Sequence, residues 1–285
     1  MANIRLIKRR IRSARNISQI TRAMEMVAAS RMKKAQEKAV SGKPYAQKIY
    51  EITGKLAKRT KADKETSPLL KQEGKEQKNL VILISTNKGL CGGLNTNLFR
   101  SIRNWFPKEV ATDYITLGKK GEVFIVRSGR NLVADFSETS FLENIGAVTN
   151  LAVSGFVQNK YHQVYLVFNN FFSILKQIPT KQVILPIGSL ETEESQTNND
   201  SDLMIEPDAH SFFDSLLPYY LEVQVRAAIL EAEASEYSAR MMAMKAATDN
   251  AKDLMSLLSL EYNKIRQQLI TYEIADIVTA REAMQ

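Results

Sequence analysis

From Met1 to Ser41 the chain holds neither Gly nor Pro, and apolar or small residues recur three and four apart: Ile4, Ile7, Ile11, Ala14, Ile17, Ile20, Met24, Val27, Ala28, Met32 and Ala35. A stripe this narrow predicts a long helix with a slender packing seam. Gly42 and Pro44 are expected to kink or briefly interrupt it, before "YAQKIYEITGKLAKR" resumes the pattern. The first segment therefore spans 1–59, and 60–78 reads as a charged linker.

In the middle the period changes. "NLVILIS" at Asn79 is a continuous apolar run of strand length, followed by a glycine-rich turn and a helical stretch from Leu94 to Phe106. "DYITLG", "NLVADF", "HQVYLVFNN", "FFSILKQIP" and "KQVILPI" are further strand candidates, with helical stretches at Lys119–Arg127 and Ile145–Val157 between some of them. Strands alternating with helices predict an α/β domain over 79–188, Rossmann-like, with a mainly parallel sheet finished by an antiparallel pair. An acidic, polar loop follows at 189–211. From 212 to 285 the helical period returns, with Met244, Ala247, Ala251, Met255, Leu258, Tyr262, Ile265 and Leu269 on one side. The fold class is thus mixed α+β and α/β: a coiled coil of the two terminal helices plus a central domain.

One terminal helix runs into that domain and the other out of it, so they pair antiparallel. A seam spacing near 3.5 on both suits a left-handed coiled coil. Equal rise per residue makes paired positions sum to roughly 268, which places Met24 near Met244 and leaves about 17 C-terminal residues, or about 25 Å of helix, without a partner. That end keeps an apolar side at Leu269, Ile270, Ile274, Ile277, Val278 and Ala280. Such a surface calls for a partner outside the chain.

Charge sharpens this picture. The net +8 divides into 21 basic against 7 acidic residues over 1–78, and 18 against 24 over the remainder. The positive excess lies entirely in the N-terminal quarter and implies a nucleic acid, an anionic membrane or an acidic protein partner, or simply a solvated basic face. The Arg-rich start also has the composition of a transit segment. No run approaches the ~18 apolar residues of a membrane span.

The chemistry-bearing motifs are few. "TNKGLCGGLNTN" lies between a strand and a helix, where phosphate loops occur, but Gly89, Gly92 and Gly93 fit neither a P-loop nor G-x-G-x-x-G. The loop reads as a structural turn. Cys91 has no recognisable catalytic histidine, since His162 and His210 lie in other contexts. No catalytic residue, cofactor site or metal site is expected, and the methionines at 24, 26, 32, 241, 242 and 244 read as seam packing.

"ITRAMEMVAASRM", "GLCGGLN", "ARMMAMKAATDNA", "EYNKIRQQLITYEIADIV" and "EPD" at Glu206 stand in an order and spacing that resemble the gamma subunit of F-type ATP synthases over nearly the whole chain. The resemblance displaces the transit-segment reading and implies a non-catalytic rotor shaft of a proton-translocating ATP synthase. Its coiled coil would stand in the ring of alpha and beta subunits, its foot on the epsilon subunit and the c-ring of Fo. Membrane contact would come only through Fo, at the cytoplasmic face of a bacterial inner membrane. Carried over by motif, Met24, Lys33 and Lys34 would face the acidic lever of a catalytic subunit. Arg266, Gln267, Thr271 and Glu273 would make polar contacts with the ring, with Ile274, Ile277 and Val278 in its apolar collar. Glu206, Pro207 and Asp208 would lie at the foot.

Some positions depart from the family pattern. Thr279, Ala280 and Arg281 replace the usual glycine region, which implies more persistent helix or a different contact with the ring. Pro218 puts the start of the last helix in question, and the lack of paired cysteines argues against thiol regulation. The alternative function is a basic coiled coil that binds nucleic acid through its first helix.

Overall fold

The computed structural model describes residues 2–60, 69, 78–138, 140–187 and 209–284. Two helices bracket the chain, α1 at Ala2–Thr60 and α5 at Ala209–Glu282. Between them lie β1 (Asn79–Ile84), α2 (Leu94–Trp105), β2 (Thr112–Leu117), α3 (Lys119–Arg127), β3 (Asn131–Asp135), α4 (Ile145–Val157), β4 (Gln163–Phe171) and β5 (Gln177–Leu185). The chain divides into two compact units, Met1–Ala29 with Arg240–Gln285, and Ser30–Ala239.

The larger unit is built on a five-stranded sheet of order β3-β2-β1-β4-β5. The first four strands are parallel and β5 closes the edge antiparallel to β4. Because side chains alternate across a strand, β1 feeds two cores. Leu80, Ile82 and Ile84 pack with α4 residues Ile145, Val148 and Ala152 and with α5 residues Leu217, Leu221 and Ile229. Val81 and Leu83 pack on the other face with Leu98 and Ile102 of α2 and Ile125 of α3. A strand buried on both faces must be apolar throughout, which is why β1 reads as an unbroken run.

In the smaller unit the two helices pair. Thr21 Oγ1 lies 2.7 Å from Thr248 Oγ1, positions that sum to 269. Within the larger unit, Arg31 Nη1 donates to Tyr237 Oη at 3.4 Å, positions that sum to 268. Antiparallel pairing requires this constancy, and the value agrees with the expected register.

Three expectations need correction. "FFSILKQIP" is not a strand of its own: β4 ends at Phe171, the chain turns at Ser173 and Lys176 through reciprocal backbone hydrogen bonds, and β5 begins at Gln177. Gln177 Nε2 satisfies the carbonyls of Ser173 and Ile174, so the apolar letters belong to a tight hairpin. Second, α1 continues through Pro44 and α5 through Pro218. Each proline removes one intrahelical donor, and packing of the flanking turns keeps the helix running past it. Ile49 and Ile52 follow Pro44 into the core, while Leu216, Leu217, Tyr220 and Leu221 surround Pro218.

The third correction concerns the seam of α1. Ile7, Ala14, Ser18, Ala28, Met32 and Ala35 are buried, and Ile4, Ile11, Thr21 and Glu25 are half-buried. Ile17, Ile20 and Val27 lie outside the seam, 51%, 60% and 55% exposed. The strict 3-4 alternation from Ile4 to Ala35 passes through Ser18 and Thr21, so heptad phase, rather than local hydrophobicity, decides which face is covered.

Candidate functional site

The α/β unit is the natural place to look for chemistry, since open parallel sheets bind ligands beyond the carboxyl ends of their strands. At that end of β1, Leu90 and Gly92 take positive φ values of 64° and 58°. Asn95 Nδ2 donates to Thr86 Oγ1 at 2.7 Å, and Thr86 Oγ1 donates to the Lys88 carbonyl at 2.8 Å. Cys91 is buried, with Asn95 Nδ2 at 3.5 Å from its sulfur. The turn is braced by hydrogen bonds among its own groups, while Asn95 Oδ1 is buried with no hydrogen-bond partner. Beside it, Gly118 at φ 116° and Gly121 let α3 approach β1: Ser85 Oγ donates to the Gly118 carbonyl at 3.0 Å and accepts the Gly121 N–H at 2.8 Å. A Cβ at Gly118 would stand 2.3 Å from the Ser85 carbonyl oxygen. Sequence reading missed this clamp, because its glycines match no motif.

At the opposite end of the strands Asp113 is buried. Lys78 Nζ lies 2.9 Å from Asp113 Oδ2, Asn131 Nδ2 donates to Oδ1 at 2.6 Å, and the Tyr161 hydroxyl donates to Oδ2 at 3.1 Å. Burial alone would raise the carboxyl, but Asn131, Lys78 and Tyr161 outweigh it and hold Asp113 below its ordinary value. The same burial, with the neighbouring carboxylate, pushes the Tyr161 hydroxyl far up. These groups tie β1, β2, β3 and β4 together and leave no reactive atom free.

The surfaces of the long helices offer more. Lys33 and Lys34 are exposed on α1, with Lys33 in only a 4.0 Å pair with Glu37 whose side chains are both largely in water. Such a pair contributes little and leaves the ammonium available. Met24 is half-buried beside the seam. On α5, every described residue from Ile270 onward is exposed, including Thr271, Glu273, Ile274, Ile277 and Val278; Arg266 and Gln267 are exposed one turn earlier. Helix continues to Glu282 through Thr279, whose hydroxyl donates back to the carbonyls of Ala275 and Asp276. Thr279, Ala280 and Arg281 are thus helical in this chain. Glu206, Pro207 and Asp208 lie outside the described residues.

The site residues thus fall into separate groups: Lys33 and Lys34 in the larger unit, Met24 and the bare end of α5 in the smaller. Ile17, Ile20, Met26 and Val27 add an exposed apolar group on α1 that sequence reading had assigned to the seam or to packing. The heptad frame would have revealed them, had Ser18 and Thr21 been admitted as seam positions. Among the described residues no cluster of metal-ligating side chains occurs, and no helix is long and apolar enough to cross a membrane.

Fold and surfaces together define a protein that combines an α/β sheet with two long terminal helices, each carrying exposed apolar or basic residues. A family model described as ATP synthase matches residues 3–284. The chain is similar to the ATP synthase gamma chain of Dehalococcoides mccartyi, 40% identical with both chains fully covered, and to that of Legionella pneumophila, 37% identical with the same coverage. Among solved structures it resembles a chain of the Euglena gracilis mitochondrial ATP synthase, with a TM-score of 0.66 at 19% identity over 99% of this chain and 95% of that one. A chain from the Tetrahymena thermophila central stalk and c-ring gives a TM-score of 0.58 at 24% identity, over 80% and 99%. The chain belongs to the ATP synthase gamma-chain family. Nothing in these likenesses supports the nucleic-acid reading.

Proposed function

We propose that this chain is the central shaft of a proton-translocating ATP synthase, turned by a c-ring and coupling that rotation to the conformational cycle of the catalytic beta subunits. It is the non-catalytic member of the complex: nucleotide chemistry belongs to the ring of alpha and beta subunits. The chain stands on an epsilon subunit and c-ring at the cytoplasmic face of a bacterial membrane. The observation that carries this reading is the bare apolar end of α5, in a chain alignable over its full length with named gamma chains. An asymmetric helix pair inside a ring of like sites touches each differently, and those differential contacts select site conformations.

Within this reading Lys33 and Lys34, with Met24, meet an acidic lever of a catalytic subunit. Arg266, Gln267, Thr271 and Glu273 make polar contacts with the ring, and Ile274, Ile277 and Val278 occupy its apolar collar. Glu206, Pro207 and Asp208 belong to the foot. Charge reversal at Lys33 and Lys34 tests the first assignment. Lys33→Glu with Lys34→Glu is expected to lower ATP-driven proton pumping by reconstituted complex several-fold while subunit stoichiometry is kept. Pumping equal to that of the parent complex would remove those lysines from the interface.

A further inference from the structure

Two stripes compete for the seam of α1 in the smaller unit. One runs through Ala14, Ser18, Thr21 and Ala28, and is small and partly polar; the other runs through Ile17, Ile20 and Val27, one position earlier at each step, and is apolar. Both follow the 3-4 spacing of a coiled coil, so a rotation of α1 by one residue, about 100°, exchanges them. Hydrophobic burial alone favours the apolar stripe. The structure buries the other, leaving Ser18 8% and Ala28 2% exposed.

Two features hold the observed phase. The frame set by Ile7 and Ala14 continues into it without a break, and small side chains let the helix axes approach closely. The second feature is the hydroxyl pair. Thr21 Oγ1 lies 2.7 Å from Thr248 Oγ1, 2.9 Å from the Ile17 carbonyl oxygen and 3.2 Å from that of Ser18; Thr248 Oγ1 lies 2.8 Å from the Met244 carbonyl oxygen. Each hydroxyl has one proton and two lone pairs. One threonine donates across the seam, and the acceptor donates back to its own helix, so neither hydroxyl is idle. Rotation of α1 by one residue breaks the bond between the helices, returns both protons to intrahelical carbonyls and leaves the buried Thr248 oxygen facing Ile20.

We propose that Thr21 and Thr248 form a phase-selecting polar layer, which keeps Ile17, Ile20 and Val27 turned outward as a contact stripe for another protein. The layer is a property of this chain alone. That the stripe meets a surrounding ring rests on the function proposed above.

The test is made on the full-length chain carrying Cys91→Ser. Ser18→Cys with Ala251→Cys, positions that sum to 269 like the threonine pair, reports the observed phase. Ile17→Cys with Ala251→Cys reports the rotated one. With both threonines present, disulfide forms in the first pair and is scarce in the second. Thr21→Ala with Thr248→Ala is expected to raise the Ile17→Cys yield relative to the Ser18→Cys yield about five- to tenfold, the weight of one neutral hydrogen bond, with helix content unchanged. Thr21→Ser with Thr248→Ser differs from the alanine chain only by the hydroxyls and is expected to restore the parent ratio. An unchanged ratio in the alanine chain, or a shifted ratio in the serine chain, overturns the proposal. Neither result bears on the Lys33 and Lys34 test, which reads pumping by the assembled complex.

Discussion

Asp113 is 1% exposed, and it stays ionised because Lys78, Asn131 and Tyr161 converge on its two oxygens. Its folded value lies below the ordinary carboxylate value near ~3.9. The stabilisation from this depressed value is therefore fully present above the ordinary value, and disappears as pH falls through the folded one. Asp113→Asn leaves Lys78, 31% exposed, facing a neutral amide, and losing the charge-assisted hydrogen bonds costs about 1.5 to 3 kcal/mol. The substituted chain is expected to unfold at lower denaturant concentration at pH 7, with the gap to the parent narrowing below about pH 4. Equal midpoints at pH 7 would show that the pair contributes nothing net. Gly118 makes the complementary case, in which no charge is involved. Its φ of 116° and the 2.3 Å approach of a Cβ to the Ser85 carbonyl mean that no side chain fits without moving β1 or α3.

At the scale of elements, much was legible. The helices at Lys119–Arg127 and Ile145–Val157 and the strand beginning at Asn79 occur where period and composition placed them, because strands buried on both faces and amphipathic helices leave different patterns. The β4–β5 hairpin was less legible, since its turn carries Phe172, Ile174 and Leu175 where polar residues are the rule. Pro44 and Pro218 misled because a local penalty does not reveal the tertiary packing that overrides it. The seam misled in a different way: side-chain hydrophobicity pointed to Ile17 and Ile20, and the long-range heptad frame pointed to Ser18 and Thr21. Paired substitutions separate the two stripes. Ile20→Gln is expected to change unfolding free energy by no more than about 0.5 kcal/mol, as exposed sites do. Ala28→Leu forces a larger side chain into a closed seam and is expected to cost about 1 to 3 kcal/mol, read by thermal unfolding of the full chain.

For the molecule as a whole, the sequence showed where surface is left over but not what covers it. Heptad register predicted an unpartnered end of about 17 residues, and full exposure from Ile270 onward agrees with it. The partner-contact residues were legible only through family resemblance, because an exposed Lys33 or Ile274 looks the same whether it meets a subunit or water. Their assignment therefore needs a measurement on the assembly. Ile274→Ser, Ile277→Ser and Val278→Ser together remove three exposed apolar side chains and leave the seam untouched. Unfolding of the isolated chain is expected to be unchanged, since nothing buried within it is altered. In the assembled complex, each of these side chains buried in a collar is worth about 1.5 to 3 kcal/mol. Their loss is expected to speed dissociation of the chain from the ring at least tenfold, measured by exchange of labelled chain into preformed complex. Exchange at the parent rate would mean that the apolar end of α5 is not held by the ring at all, and its hydrophobic face would then need a different partner.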